Sequence, residues 1–97
     1  MSSSPDETLL VRDLTIQNQN GMHARPAATF VKLAAEFKNC EIFVEKDGEK
    51  VNGKSIMGLM MLAAGPGSIL TIEISGRDAA NAMDQIVDLF DRKFDED

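Results

Sequence analysis

Tryptophan and tyrosine are absent from this 97-residue chain, which holds one cysteine and one histidine. The core therefore has to be assembled from Ile, Leu, Val, Met, Ala and five Phe. A lone thiol excludes an internal disulfide, and Cys40, following a predicted helix, reads as a buried structural thiol. One histidine and one cysteine do not make a zinc ligand set, so no metal is expected. Basic residues are outnumbered, with 10 Lys and Arg against 16 Asp and Glu and a net charge of -6. That balance argues against a nucleic-acid partner, although Arg25 and Lys54 remain candidates for a local basic patch facing a protein. No basic segment followed by an apolar one opens the chain, so no signal peptide is expected. The longest apolar run, residues 56–64, is far shorter than the roughly 20 residues of a membrane span. No membrane insertion is expected, and the expected compartment is the cytoplasm. Gly65-Pro66-Gly67 matches neither a Walker loop nor a dinucleotide fingerprint. The chain is expected to hold no nucleotide or other cofactor and not to phosphorylate itself.

With 43% hydrophobic and 27% charged residues, the composition is that of an ordinary globular domain, and the length allows one core. Residues 1–8, with a serine triplet and Pro5, bury little and read as a flexible tail. Residues 9–94 form the domain, and the acidic residues 95–97 read as a frayed end. Residues 9–16 pattern as a strand, with Leu10, Leu14 and Ile16 on one face. Over residues 24–38 the period turns helical, with Ala27, Phe30, Val31, Ala34 and Phe37 forming the apolar stripe. Pro26 fits only a first turn, and Asn39 is a plausible stop. Residues 41–46 and 49–52 flank Asp47-Gly48, a strong hairpin signal that predicts Val44 opposite Val51 and Glu45 opposite Lys50. Residues 56–64 read as a short helix ended by Gly65-Pro66-Gly67. Residues 68–75 alternate, with Leu70, Ile72 and Ile74 inward. Residues 78–94 pattern as a last helix with Ala79, Ala82, Met83, Ile86, Val87 and Phe90 buried. The element order predicts a two-layer α+β domain on a mainly antiparallel sheet.

The only histidine, His23, lies in Asn20-Gly21-Met22-His23-Ala24-Arg25-Pro26-Ala27. Alone it reads as a boundary histidine without a role. Its neighbours give it another reading. Gly21 permits a tight turn that another protein can approach. The helix start offers the backbone N–H groups of Ala24 and Arg25 with a partial positive charge. Arg25 adds a planar fork matched to phosphate oxygens. An anion site thus stands beside a nitrogen nucleophile, and imidazole, with a reference pKa of about 6.5, is largely neutral near pH 7.

Ser55 reads either as the N-cap of the short helix or as a phosphorylation switch. A phosphate there would sit at a helix start and add charge beside an apolar surface. Ile56, Met57, Leu59, Met60, Met61 and Leu62 are too many apolar residues for one buried face. Leu59 and Leu62 are expected in the core, leaving an adaptable, methionine-rich exposed surface.

Two stretches, Gly21-Met22-His23-Ala24-Arg25-Pro26-Ala27 and Asn52-Gly53-Lys54-Ser55-Ile56-Met57-Gly58-Leu59-Met60, resemble the HPr family. These are the histidine-containing phosphocarriers of the phosphoenolpyruvate-dependent sugar phosphotransferase system. The resemblance runs from about Leu9 to Phe94. It implies an open-faced β-sandwich, a four-stranded antiparallel sheet with three helices on one side in the order βαββαβα. It implies a stoichiometric carrier, not an enzyme, in which His23 takes a phosphoryl group through Nδ1 from Enzyme I and passes it to an EIIA partner. Arg25 would contact the phosphoryl oxygens. Ser55 matches the position modified by the ATP-dependent HPr kinase/phosphorylase, a modification that drives complexes with regulators, transcriptional ones included. Ile56, Met57 and Met60 match the family's docking surface. A monomer is expected, since a carrier must free one face for successive partners.

Two other functions compete. One is a regulatory HPr-like signalling module worked through Ser55, without sugar transport. The other is a ligand-binding α+β domain, for which the sequence gives no sign of a pocket.

Overall fold

The Asp47-Gly48 pair builds the hairpin it predicts. A computed structural model describes residues 9–96. In it Asp47 and Gly48 take φ of 53° and 86°, the two positive values of a type I′ turn. They join β2 (Cys40–Lys46) to β3 (Glu49–Asn52), with Val44 paired to Val51 and Glu45 to Lys50. The expected tail at residues 1–8, and Asp97, lie outside the described residues.

The remaining elements are β1 (Leu9–Thr15), α1 (Ala24–Ala35), α2 (Ile56–Met61), β4 (Ile69–Gly76) and α3 (Ala79–Asp91). The four strands form one sheet in the order β1-β4-β2-β3, and every pairing is antiparallel. Its inner face carries Leu70, Ile72 and Ile74 of β4 with Ile42 and Val44 of β2, all buried. Fully burying such a side chain contributes roughly 1.5–3 kcal/mol, so this face holds the helices. Phe30 of α1 meets Phe90 of α3 edge-on at 6.4 Å. The result is the expected open-faced α+β sandwich. On the solvent face Lys50 Nζ donates to Glu73 Oε1 at 2.9 Å. That hydrogen bond and the carboxylate's charge hold the Lys50 ammonium above the usual lysine range.

All three helices stop earlier than their apolar patterns suggest. In α1 the stop precedes Asn39. Glu36 and Phe37 donate to the carbonyls of Leu33 and Ala34, a tightening that swings Phe37 into the core. Lys54 Nζ then donates to the carbonyls of Phe37 and Cys40 at 2.9 and 2.8 Å. The Lys54 ammonium is thus turned onto the chain's own backbone and is not part of a partner-facing patch. In α2 the helix ends at Met61, and the left-handed residue behind it is Ala63 at φ 51°, ahead of the glycines. In α3 the helix ends at Asp91, and Leu89 joins the buried stripe while Val87 is only half-buried.

The acidic end, which reads as frayed, turns back on the domain. Lys93–Asp95 form a short 3-10 turn with φ of 57°, 55° and 59°. Each left-handed L-residue costs roughly 1–2 kcal/mol. Phe94 offsets part of that cost by burying its ring against Phe90, centroids 4.8 Å apart.

Candidate functional site

His23 is the N-cap residue of α1, with extended backbone (φ -86°, ψ -169°) and no side-chain capping bond. Its carbonyl accepts from the Ala27 N–H at 3.0 Å, beginning the helix. The N–H groups of Ala24 and Arg25 belong to the first turn, where the helix offers them no acceptor. Pro26, buried in that turn as expected, has no N–H to leave unpaired. His23 therefore stands next to the Ala24 and Arg25 N–H groups at the positive end of a 12-residue helix.

The loop before the helix is fixed from two sides. Gly21 takes φ +69°, and a Cβ there would lie 2.6 Å from the Ala64 carbonyl oxygen and 2.8 Å from Gly65 Cα. The close approach that needs glycine is thus made by the chain's own loop after α2, not by a partner. Met22 N–H donates to Ala64 O at 2.8 Å. On the other side Asn18 is fully buried and donates from Nδ2 to Gly21 O at 2.7 Å.

The imidazole faces a carboxylate that sequence reading did not bring to the site. His23 Nε2 lies 3.1 Å from Glu96 Oε2 and 3.3 Å from Oε1. The same Glu96 Oε1 accepts from Asn18 Nδ2 at 3.0 Å. An ionised carboxylate can only accept, so this contact favours the neutral tautomer that carries its proton on Nε2 and its lone pair on Nδ1. Among the described residues Nδ1 has no hydrogen-bond partner.

Arg25 is exposed, and its guanidinium is tied to no carboxylate among the described residues. Its own carbonyl accepts from Thr29 Oγ1 at 3.0 Å. Arg25 and Thr29 line an open cleft of about 490 Å³ with Gln19, Asn20, Asp95 and Glu96. The sequence shows no sign of this cavity; apart from Phe94 its lining is polar, and it sets the one guanidinium of Arg25 against the carboxylates of Asp95 and Glu96. Asn18, Gln19 and Glu96 went unnoticed in the sequence. A polar residue just ahead of the histidine loop was a weak pointer to Asn18, whereas Glu96 is brought in from 73 residues beyond His23 with no local signal.

Ser55 caps α2, and its Oγ accepts from the Gly58 N–H at 3.0 Å. Leu59 and Leu62 are buried as expected, while Ile56, Met57, Met60 and Met61 are exposed, Met57 at 74%. The Met22–Ala64 bond joins this apolar face to the histidine loop. Among the described residues no group of acidic, histidine or cysteine side chains could hold a metal ion, and no helix is long and apolar enough to cross a membrane.

Known proteins resemble this chain over most of its length. Residues 10–92 match the family described as "PTS HPr component phosphorylation site". The phosphocarrier protein HPr of Neisseria meningitidis serogroup A is 44% identical over 91% of this chain and 98% of its own. The HPr-like protein Crh of Halalkalibacterium halodurans is also 44% identical, over 88% of this chain and all of its own. The crystal structure of HPr-C-His from Thermoanaerobacter tengcongensis superposes with a TM-score of 0.86 at 43% identity, covering 91% of this chain and 98% of that one. An open-faced sandwich that presents its only histidine at a helix start, matched along nearly its whole length by phosphocarriers, places the chain in the HPr family of the phosphotransferase system.

Proposed function

We propose that the chain is a stoichiometric phosphoryl carrier working in the cytoplasm, with His23 Nδ1 as the acceptor atom. The observation that supports this reading is the placement of His23 as the N-cap residue of α1, two residues ahead of the exposed Arg25 and at the positive end of the helix. The donor is a phosphohistidine on Enzyme I and the recipient an EIIA domain. The Nδ1 lone pair attacks phosphorus, an N–P bond forms, and the N–P bond of the donor breaks. Arg25 and the Ala24 and Arg25 N–H groups supply hydrogen bonds to the phosphoryl oxygens as charge shifts between the two rings. Ile56, Met57 and Met60 form the surface on which both partners dock. The carrier acts as a monomer, because the same face serves each partner in turn.

Ser55 is proposed as a regulatory phosphorylation site for an HPr kinase/phosphorylase. A phosphate there keeps acceptor oxygens at the start of α2 and puts negative charge beside Met57. A second reading makes this regulation the main role, without sugar transport. The equal identity to HPr and to the HPr-like protein Crh supports keeping it, while His23 at a helix start beside Arg25 favours the carrier.

The test is intact mass after incubation with phosphoenolpyruvate and Enzyme I, before and after acid. The carrier reading expects one acid-labile phosphoryl group, absent in His23→Ala. An unmodified protein, or one modified equally in His23→Ala, would overturn it.

A further inference from the structure

The geometry points to Glu96 as a positioning residue for phosphoryl transfer, held on the imidazole by Asn18. This inference rests on the carrier reading. Glu96 lies beyond residues 10–92, the part of the chain matched to the family, so its role is argued from this chain alone.

The contact is constructed from both ends of the sequence. Asn18 is fully buried. It uses Nδ2 twice, toward Gly21 O at 2.7 Å and Glu96 Oε1 at 3.0 Å. Turning its amide over would set Oδ1 against two acceptors, so the orientation is fixed. Its Oδ1 is left without a hydrogen-bond partner, an uncompensated burial accepted for the sake of the two donors. From the other end, the successive left-handed residues Lys93, Phe94 and Asp95 turn the chain back, and the buried Phe94 ring anchors that turn. Glu96 arrives with its side chain 14% exposed, against 39% for His23. The carboxylate is the more sheltered partner of the pair.

Two consequences follow for the reaction. The first concerns the ring before transfer. A carboxylate accepting from Nε2–H selects the tautomer whose lone pair is on Nδ1 and restrains rotation of the ring, as the aspartate of a Ser-His-Asp triad does for its histidine. The second concerns charge. When Nδ1 bonds to phosphorus while Nε2 keeps its proton, the ring becomes a cation. The donor ring keeps its own N–H and leaves neutral, so electrons and protons balance with no proton transfer. Glu96 then faces the charge that develops at Nε2–H and stabilises it. Asp95, in the same cleft, is paired with Arg92, whose Nε donates to Asp95 Oδ1 at 3.0 Å, which leaves Arg25 for the phosphoryl oxygens. Glu96 is thus placed to act on the ring and Arg25 on the phosphoryl oxygens.

The test combines a ring spectrum with a rate. Nitrogen-15 NMR of imidazole-labelled, unphosphorylated protein should show a protonated Nε2 and a lone-pair Nδ1 in the neutral form. In Glu96→Ala the two nitrogens should move toward a tautomer mixture. Phosphoryl uptake from Enzyme I should slow by roughly three- to tenfold, less than for a deeply buried triad aspartate because this carboxylate is partly exposed. Asn18→Ser should shift the spectrum in the same direction by a smaller amount. Unchanged spectrum or unchanged rate in Glu96→Ala, with uptake normal in the unaltered protein, overturns the positioning role and leaves the carrier reading standing. No uptake by the unaltered protein, with its Nδ1 lone pair visible in the spectrum, overturns the carrier reading and the positioning role together.

Discussion

Met22 donates its backbone N–H to the carbonyl of Ala64 at 2.8 Å, and this bond locks the histidine loop to the end of α2. The proposed acceptor and the proposed docking surface are therefore parts of one rigid unit. A partner seated on Met57 and Met60 meets an imidazole whose position is already set, which is the preorganisation that group transfer between two rings requires.

Gly21 makes that junction possible, so Gly21→Ala should damage it. The new Cβ would lie 2.6 Å from the Ala64 oxygen at a backbone φ of +69°. A left-handed L-residue and a backbone clash together should cost about 2–3 kcal/mol. Urea unfolding gives the stability, and phosphoryl uptake at a temperature where the variant stays folded gives the local effect. Uptake should fall as well, because relieving the clash moves Met22 away from Ala64. Full stability and full uptake would show that the loop after α2 yields freely.

Lys54 tests the difference between a surface charge and a structural one. Its ammonium donates to Phe37 O and Cys40 O, so Lys54→Met removes both bonds while keeping the stem. Two carbonyls losing a charged donor should cost about 2–3 kcal/mol. Cys40, now 4% exposed, should react faster with a thiol reagent as the turn after α1 loosens. Partner binding by the folded variant should change little. A large loss of Enzyme I affinity at unchanged stability would return Lys54 to a basic patch facing a partner.

Much of this arrangement can be read from local sequence because its causes are local. The Asp47-Gly48 turn dictates its own register, and the alternation of Leu70, Ile72 and Ile74 needs only a buried sheet face. His23 stands out because glycine, proline and a helix-periodic run surround it. The features that escaped are set by distant contacts. Ala63 is left-handed because Ala64 must reach Met22, and nothing about an alanine announces that. The Asn18–Glu96 bond spans 78 residues, and it depends on a turn of three non-glycine residues that no propensity favours. Lys54 looks like a surface charge because its acceptors are backbone carbonyls, which carry no side-chain signature.

Ala63 offers a stabilising change. It occupies the position after the α2 C-cap, exposed, at φ 51°. Glycine is the usual residue there because it avoids the Cβ penalty. Ala63→Gly should raise stability by about 0.5–1 kcal/mol after allowing for the freer unfolded chain. Chemical denaturation measures it directly. A loss of stability would mean that the Ala63 methyl group contributes more through packing than its conformation costs.

Ser55 separates a structural role from a regulatory one. Its Oγ accepts from Gly58 N–H, so Ser55→Ala should cost about 1 kcal/mol by leaving the start of α2 uncapped. Aspartate is as good a cap as serine, and Ser55→Asp should leave stability within about 0.5 kcal/mol of the parent. It also places a carboxylate beside Ile56 and Met57, on the face where Enzyme I is proposed to dock. Unfavourable desolvation of that charge at an apolar contact should slow phosphoryl uptake by His23 several-fold, while Ser55→Ala slows it little. The two variants thus reverse their order between the unfolding curve and the uptake rate. If they keep the same order in both measurements, the effect of position 55 is transmitted through the stability of α2, and charge at the docking face has no part in it.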